Sequence, residues 1–253
     1  MMKVLLLGTG TSTGVPEIGC HCEVCCSSDP RDRRLRTSVV VETEGKHILL
    51  DCGPDFRWQM LKHRIETLDA VLLSHEHYDH VSGLDDLRPY VFHQELPIYA
   101  ERNVIQAIQT RLPYAFREHK YPGVPRLNLL PVGLSPFLAA GIEVIPIRVM
   151  HGKLPILGFR IGNMAYLTDL KTLPKEEEVK LKGLDLLLID ALRIDSRHFS
   201  HAGVAENLPL ISRLRPKESY FIHMSHRIGL HAAADIALPP HVHFGYDGLE
   251  VVV

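Results

Sequence analysis

The sequence predicts layered β-sheets with helices packed outside them, an α/β (α+β) fold, and three observations predict it. Short apolar runs recur along the chain and stop at a polar residue or a glycine. Helical patterns stand between those runs. The chain has 253 residues, 45% of them hydrophobic, which is ample material for a buried core. No fixed-period repeat, low-complexity tract or linker-like stretch interrupts it, so one domain over residues 1–253 is expected.

In chain order, residues 4–7 read as a buried strand that ends in the Gly/Thr-rich loop 8–14. Runs at 38–41 and 48–50 read as the next two strands, the second stopping at Asp51-Cys52-Gly53, and a helical pattern over 54–62 follows. Residues 70–73 form a further apolar run that stops at Ser74. After a helical pattern at 102–111 comes segment 113–136, with prolines at 113, 122, 125, 131 and 136; its Tyr, Phe and Leu content marks an ordered excursion rather than a linker. Strands at 142–147, 165–167, 184–189, 220–222 and 251–253, with helical patterns at 174–182 and 202–214, complete the reading.

Twenty-eight basic against 30 acidic side chains give a formal charge of −2, which speaks against an electrostatic grip on a nucleic-acid backbone. The N-terminal aliphatic run is too short for a signal-peptide core, and no stretch reaches 18 uninterrupted apolar residues, so a cytoplasmic protein with no membrane partner is expected. Four of the five cysteines, Cys20, Cys22, Cys25 and Cys26, fall within seven residues. Sulfurs so crowded make a poor disulfide framework and a good metal nest, which implies a reducing compartment. Sixteen histidines against a single tryptophan point the same way, toward metal or proton chemistry.

The run 70–73 is followed at once by His75-Glu76-His77-Tyr78-Asp79-His80, an H-x-H-x-D-H motif. His151, Asp169 and His223 follow other strand-like runs, so ligands from distant sequence would meet at one sheet edge. Imidazoles and carboxylates together suit zinc or a comparable first-row metal. On these residues the chain resembles the metallo-β-lactamase superfamily. The resemblance implies an αββα sandwich in which His75, His77 and His151 hold one metal, Asp79, His80 and His223 hold a second, and Asp169 bridges them. It also implies hydrolysis by a metal-bound hydroxide, with Asp79 orienting it as well as ligating. Two catalytic divalent ions, Zn or Mn, are therefore expected.

Cys20-His21-Cys22-Glu23-Val24-Cys25 is a C-x-C-x₂-C nest for a structural zinc that lacks one ligand, for which His226 is the candidate. With the loop 8–14 leading into it and His223-Met224-Ser225-His226 downstream, the chain resembles a narrower subfamily, the cyclic phosphodiesterases of the carbon–phosphorus lyase pathway. That resemblance implies one structural Zn on Cys20, Cys22, Cys25 and His226, leaves Cys26 outside it, and places His201 as general acid in opening phosphoribosyl 1,2-cyclic phosphate. The expected partner is a small phosphodiester, with a homodimer left open.

Two other functions compete. A ribonuclease resembling the tRNA 3′-processing members shares the motif and the equivalent of His201, but the charge of −2 and the lack of a long basic insertion weigh against it. A non-hydrolytic metal protein resembling the pyrroloquinoline-quinone biosynthesis member shares the cysteine-rich loop, whereas all seven catalytic metal positions are intact here. Other features have two readings each. Asp51 and Asp190 either orient ligand histidines or cap turns. The loop 8–14 either cradles an anion or makes a tight turn, and the arginines of 31–36 either face solvent or reach a phosphate. The nine histidines without a role, His93 among them, read as surface or hydrogen-bonded residues.

Overall fold

The computed structural model describes residues 1–92, 95–119, 123–195 and 198–253. Two seven-stranded sheets face each other. The first contains β1 (Lys3–Gly8), β2 (Ser38–Thr43), β3 (Lys46–Leu50), β4 (Ala70–Leu72), β5 (Leu96–Ala100), β6 (Leu127–Pro131) and, at its edge beside β1, β14 (Glu250–Val252). The second runs in reverse order from β13 (Val242–Phe244) through β12 (Glu218–Ile222), β11 (Leu186–Asp190), β10 (Met164–Leu167), β9 (Leu154–Ile161) and β8 (Ile142–His151) to β7 (Phe137–Ala139). The helices are α1 (Phe56–His63), α2 (Tyr78–Val81), α3 (Arg88–Val91), α4 (Arg102–Arg111), α5 (Val204–Leu214) and α6 (His231–Ile236).

The strand sequences explain the layering. Successive side chains on a strand point to opposite faces, and a sheet covered on both sides needs apolar residues on both. Val39, Val41, Ile48 and Leu50 turn inward to meet Leu157, Phe159, Tyr166 and Leu188 of the other sheet. Val40 and Leu49 turn outward, in the cluster that holds Phe56 and Met60 of α1 and Val104 and Ile108 of α4. On the other side Leu187, Ile189 and Phe221 meet Leu210, Ile211 and Leu214 of α5. Helix, sheet, sheet, helix is the expected αββα sandwich.

The described structure departs from the sequence reading in particular places. The helical pattern at 174–182 is a 3₁₀ run, Lys175–Leu181, not an α-helix. Strand 142–147 continues to His151. Segment 113–136 contributes a 3₁₀ turn, Pro113–Phe116, and strand β6, so part of it belongs to the sheet; Pro122 lies outside the described residues, as does His93. Strands β5, β7, β9 and β13 were not expected. β5 and β9 carry prolines and β9 a glycine, residues that argue against a strand on local grounds; pairing on both sides overrides that preference.

The topology gathers strand ends at one edge. In the parallel set β10-β11-β12, Leu167 stands opposite Ile189 and Asp190 opposite Ile222. Asp169, Asp190 and His223 therefore emerge side by side. His75 and His77 follow β4 in the facing sheet, and the backbone N–H of Leu157 donates to Ser74 O at 3.0 Å, joining the two sheets beneath them.

Candidate metal centre

Ser74–His77 follow β4 outside any strand or helix, and α2 begins at Tyr78, so Asp79 and His80 are buried while Tyr78 stays exposed. Asp51, Asp169 and His223 each have positive φ, at 59°, 51° and 57°. This left-handed conformation is uncommon outside glycine, and here it turns the chain at three strand ends so that the side chains converge.

Ligand atoms of His75, His77, His151 and Asp169 lie within 4.8 Å of one another, as do those of Asp79, His80 and His223. Asp169 stands between the groups with its two oxygens divided. Its Oδ2 lies 3.7 Å from His75 Nε2 and 3.8 Å from His151 Nε2, while Oδ1 lies 3.1 Å from His80 Nε2 and 3.2 Å from His223 Nε2. Asp79 Oδ2 is 3.2 Å from His80 Nε2 and 3.3 Å from His223 Nε2.

The far side of each imidazole shows which nitrogen carries the proton. Asp51 accepts from Ser74 N at 2.7 Å, Ser74 Oγ at 2.8 Å, Tyr166 OH at 2.8 Å and His80 Nδ1 at 2.7 Å. Ser74, having donated its proton, accepts from His75 Nδ1 at 2.9 Å. His151 Nδ1 donates to Ser200 O at 2.9 Å. His75 and His151 therefore turn a bare Nε2 toward the centre, and His80 presents its Nε2 there as well. That of His75 is buried and has no hydrogen-bond partner among the described residues.

Electrostatics agree with a cation site. Burial holds His75 neutral, its pKa well below the usual value. Burial also works against charge on Asp169, yet the imidazoles of His223, His80 and His75 keep its carboxyl well below the ordinary range. His80 goes the opposite way: burial opposes a proton, but Asp79, Asp169 and Asp51 draw one strongly enough to raise it. The same surplus of buried negative charge is what divalent cations would neutralise, and the donor set fits them.

His201 lies at the margin. Its Nδ1 donates to Asp190 Oδ2 at 2.9 Å and its Nε2 faces Asp169 Oδ2 at 3.8 Å. Burial pushes its pKa down to about 4. Asp190 Oδ1 also faces His223 Nδ1 at 3.7 Å, and Asn207 Nδ2 donates to the Asp190 backbone oxygen at 2.7 Å. Asp51 and Asp190 thus orient histidines.

The second cluster stands apart. Cys20, Cys22 and Cys25 place their sulfurs 3.2, 3.3 and 3.4 Å from His226 Nδ1. All five cysteines are free, Cys26 outside the group and Cys52 buried elsewhere. The backbone N–H of Cys25 leads the effects that lower the Cys22 thiol to about 6, and burial raises Cys25 to about 11. Three sulfurs around one imidazole nitrogen are a tetrahedral donor set suited to zinc.

Other sequence features have structural roles. A Cβ on Gly8 would lie 2.0 Å from the Arg36 carbonyl oxygen, so the start of loop 8–14 is glycine for close backbone approach. Arg34 is buried, donating to Thr9 Oγ1 at 2.9 Å and Gly245 O at 2.6 Å. Arg31 pairs with Asp29 and Arg36 with Asp55. Sequence reasoning missed Ser74 and Tyr166, which complete the Asp51 network. Ser74 directly precedes the motif, but nothing marks a tyrosine within a buried strand.

Comparison with known proteins follows from this geometry. Residues 46–224 match the family model for the beta-lactamase superfamily domain. Over 254 residues, covering all of this chain, there is 52% identity to a protein of Porphyromonas gingivalis (strain ATCC BAA-308 / W83) named octanoyltransferase. The chain spans about half of that relative, 52% of its length. Coenzyme PQQ synthesis protein B of Methylobacterium nodulans is 31% identical over 241 residues, covering 80% of this chain and 77% of that protein. The crystal structure of a diphosphatase from the PhnP family superposes with a TM-score of 0.93 at 38% identity, covering 99% of this chain and 96% of the other.

Proposed function

The chain belongs to the beta-lactamase superfamily, close to its PhnP family, and from that premise we propose that it is a metal-dependent phosphodiesterase acting on a small cyclic phosphate ester, phosphoribosyl 1,2-cyclic phosphate among the candidates. The observation that carries this reading is the divided carboxylate of Asp169, one oxygen toward His75 and His151 and the other toward His80 and His223. In this reading His75, His77 and His151 hold one divalent ion, Asp79, His80 and His223 the other, and Asp169 both. Cys20, Cys22, Cys25 and His226 hold a structural Zn.

When bound, a pair of divalent ions lowers the pKa of a water and clamps the attacking and leaving oxygens of a phosphoryl group. The protein's own groups supply orientation and protons. Asp79, between His80 and His223, accepts a hydrogen bond from the attacking water and so fixes its direction. His201, held by Asp190 through Nδ1, presents Nε2 to the leaving oxygen; with its ring neutral at rest, it takes a proton at Nε2 from solvent water and passes it to that oxygen as the ester bond breaks. Asp51, through Ser74 and directly, keeps His75 and His80 in the tautomer a ligand needs.

The test is a hydrolysis screen after reconstitution with Zn or Mn, over bis-aryl phosphates, ribose cyclic phosphates, 2′,3′-cyclic nucleotides, thioesters and lactones. Turnover of phosphodiesters, with about three ions per chain, is expected. Activity confined to thioesters or lactones overturns the reading, and a single ion per chain favours a non-hydrolytic binding protein. A steep loss of RNA cleavage with added salt would instead mark a ribonuclease gripping a backbone.

A further inference from the structure

The turn 198–200 overhangs the metal centre and is fixed to it. Ser200 O receives His151 Nδ1, while Ser200 N donates to His198 Nδ1 at 3.4 Å and Ser200 Oγ lies 3.3 Å from the same nitrogen. Gly152 packs beneath: a Cβ there would stand 3.4 Å from the Ser200 Cα. On this pinned turn Phe199 is 84% exposed. Its ring is stacked on His198, with centroids 4.9 Å apart and planes at 28°, and the His198 ring lies 5.2 Å from His201. An aromatic ring is thus held in water beside the general acid, one face on an imidazole and the rest uncovered.

We propose that Phe199, backed by His198, is a stacking platform for a planar ring carried by the substrate, which makes the preferred substrates phosphate esters of a nucleoside or aryl alcohol. The proposal rests on the phosphodiesterase reading and narrows it: a base-bearing cyclic phosphate is favoured over a ringless one. Phe199 is a specificity residue with no part in the proton transfers. Arene stacking tolerates any flat ring, so the platform selects for a ring without reading its hydrogen-bonding edge.

Two five-membered cyclic phosphates of similar intrinsic reactivity separate the possibilities, adenosine 2′,3′-cyclic phosphate and propane-1,2-diol cyclic phosphate. In the metal-loaded enzyme, Phe199→Ala is expected to raise KM for the adenosine substrate by about 5- to 150-fold with kcat within twofold, the range of a lost base–aromatic stack. The propanediol substrate is unaffected, and Phe199→Trp restores the adenosine KM. A parallel arm without turnover follows adenosine monophosphate by saturation-transfer NMR: contact to the purine is expected in the native chain and lost in Phe199→Ala. Equal effects on both substrates, or none, together with unchanged purine contact, overturn the platform. If the native enzyme hydrolyses neither these two nor any other phosphodiester of the screen, the phosphodiesterase reading fails, and the NMR arm still decides whether Phe199 receives a ring.

Discussion

At the residue scale the centre depends on buried carboxylates that touch no substrate. Asp51 gathers Ser74, Tyr166 and His80 on one carboxyl group, and Asp190 does the same for His201. Such outer partners typically change metal affinity 10- to 100-fold when removed. Asp51→Ala is therefore expected to weaken metal binding by about that range, read by competition with a chelator of known affinity. His201→Ala should lower turnover by about 10²–10⁴ while the metal content of the protein stays constant, since in the proposed arrangement it moves a proton and holds no ion; an unchanged rate would shift the acid to another group. Much of this site was legible in the sequence because the six residues 75–80 carry four candidate ligands directly after a buried run. Tyr166 was not legible, because a phenol in an apolar strand reads the same whether its hydroxyl has a partner or not. Phe199 was invisible for the opposite reason: its exposure is a property of the turn, and no periodicity foretells it.

At the element scale, strands with unbroken apolar runs such as β1 and β4 were legible, and β5 and β9, which proline or glycine interrupts, were not; β8 was read despite Pro146, and β7 and β13, three residues each, were too short to mark themselves. Pairing energy from two neighbours outweighs a local preference worth about 1 kcal/mol. The 3₁₀ run Lys175–Leu181 shows the converse, since its composition suits a helix but it lies along β8, where Glu177 takes the Arg148 N–H at 2.9 Å and pairs with Lys180. Residues 17–26 lie outside any strand or helix, and there Cys20, Cys22 and Cys25 reach His226, three residues beyond His223. Cys22→Ser should remove about one zinc per chain, raise hydrogen exchange across residues 17–26 and lower activity indirectly; full activity with an unchanged zinc count would refute that link. The strands also carry a pH dependence. Asp69, just ahead of β4, accepts from Lys46 Nζ at 3.0 Å and His47 N at 2.9 Å, tying β3 to β4. Burial opposes its charge, but the His47 N–H and the Lys46 ammonium hold its carboxyl below the ordinary value. A depressed folded pKa stabilises above the unfolded value, about 3.9, and that stability is lost as pH falls through the folded pKa. Asp69→Asn should cost about 1–2 kcal/mol in urea unfolding at pH 7, with the difference from the native chain shrinking below about pH 4.

At the scale of the whole molecule, the register of the first sheet separates two ends. Gly8 pairs with Ser38, and Val39 with Leu50, at the edge where the ligands gather; Lys3 pairs with Glu42 and with Val252 at the other. Met2 and Val253 exchange backbone hydrogen bonds at 2.8 and 2.9 Å, so both ends of this sequence leave the fold at one place. The six residues of β1 span about 20 Å, and that distance separates the ends from the ligand edge. The P. gingivalis relative, of which this sequence covers 52%, carries nearly as much sequence again. Whichever end that additional sequence joins, the corresponding point here is the Met2–Val253 corner, remote from His201 and Phe199. A compact protein joined to either end through a flexible Gly/Ser linker of about 10 residues, with a root-mean-square reach of roughly 16–19 Å, should therefore leave kcat and KM within about twofold. Deleting residues 249–253 acts differently, because β14 covers the β1 edge and its loss exposes that strand to pairing with other chains. The truncated chain should melt at lower temperature and associate as its concentration rises, read by thermal unfolding and light scattering, while a truncated chain that stays monomeric and equally stable would show that β14 is dispensable.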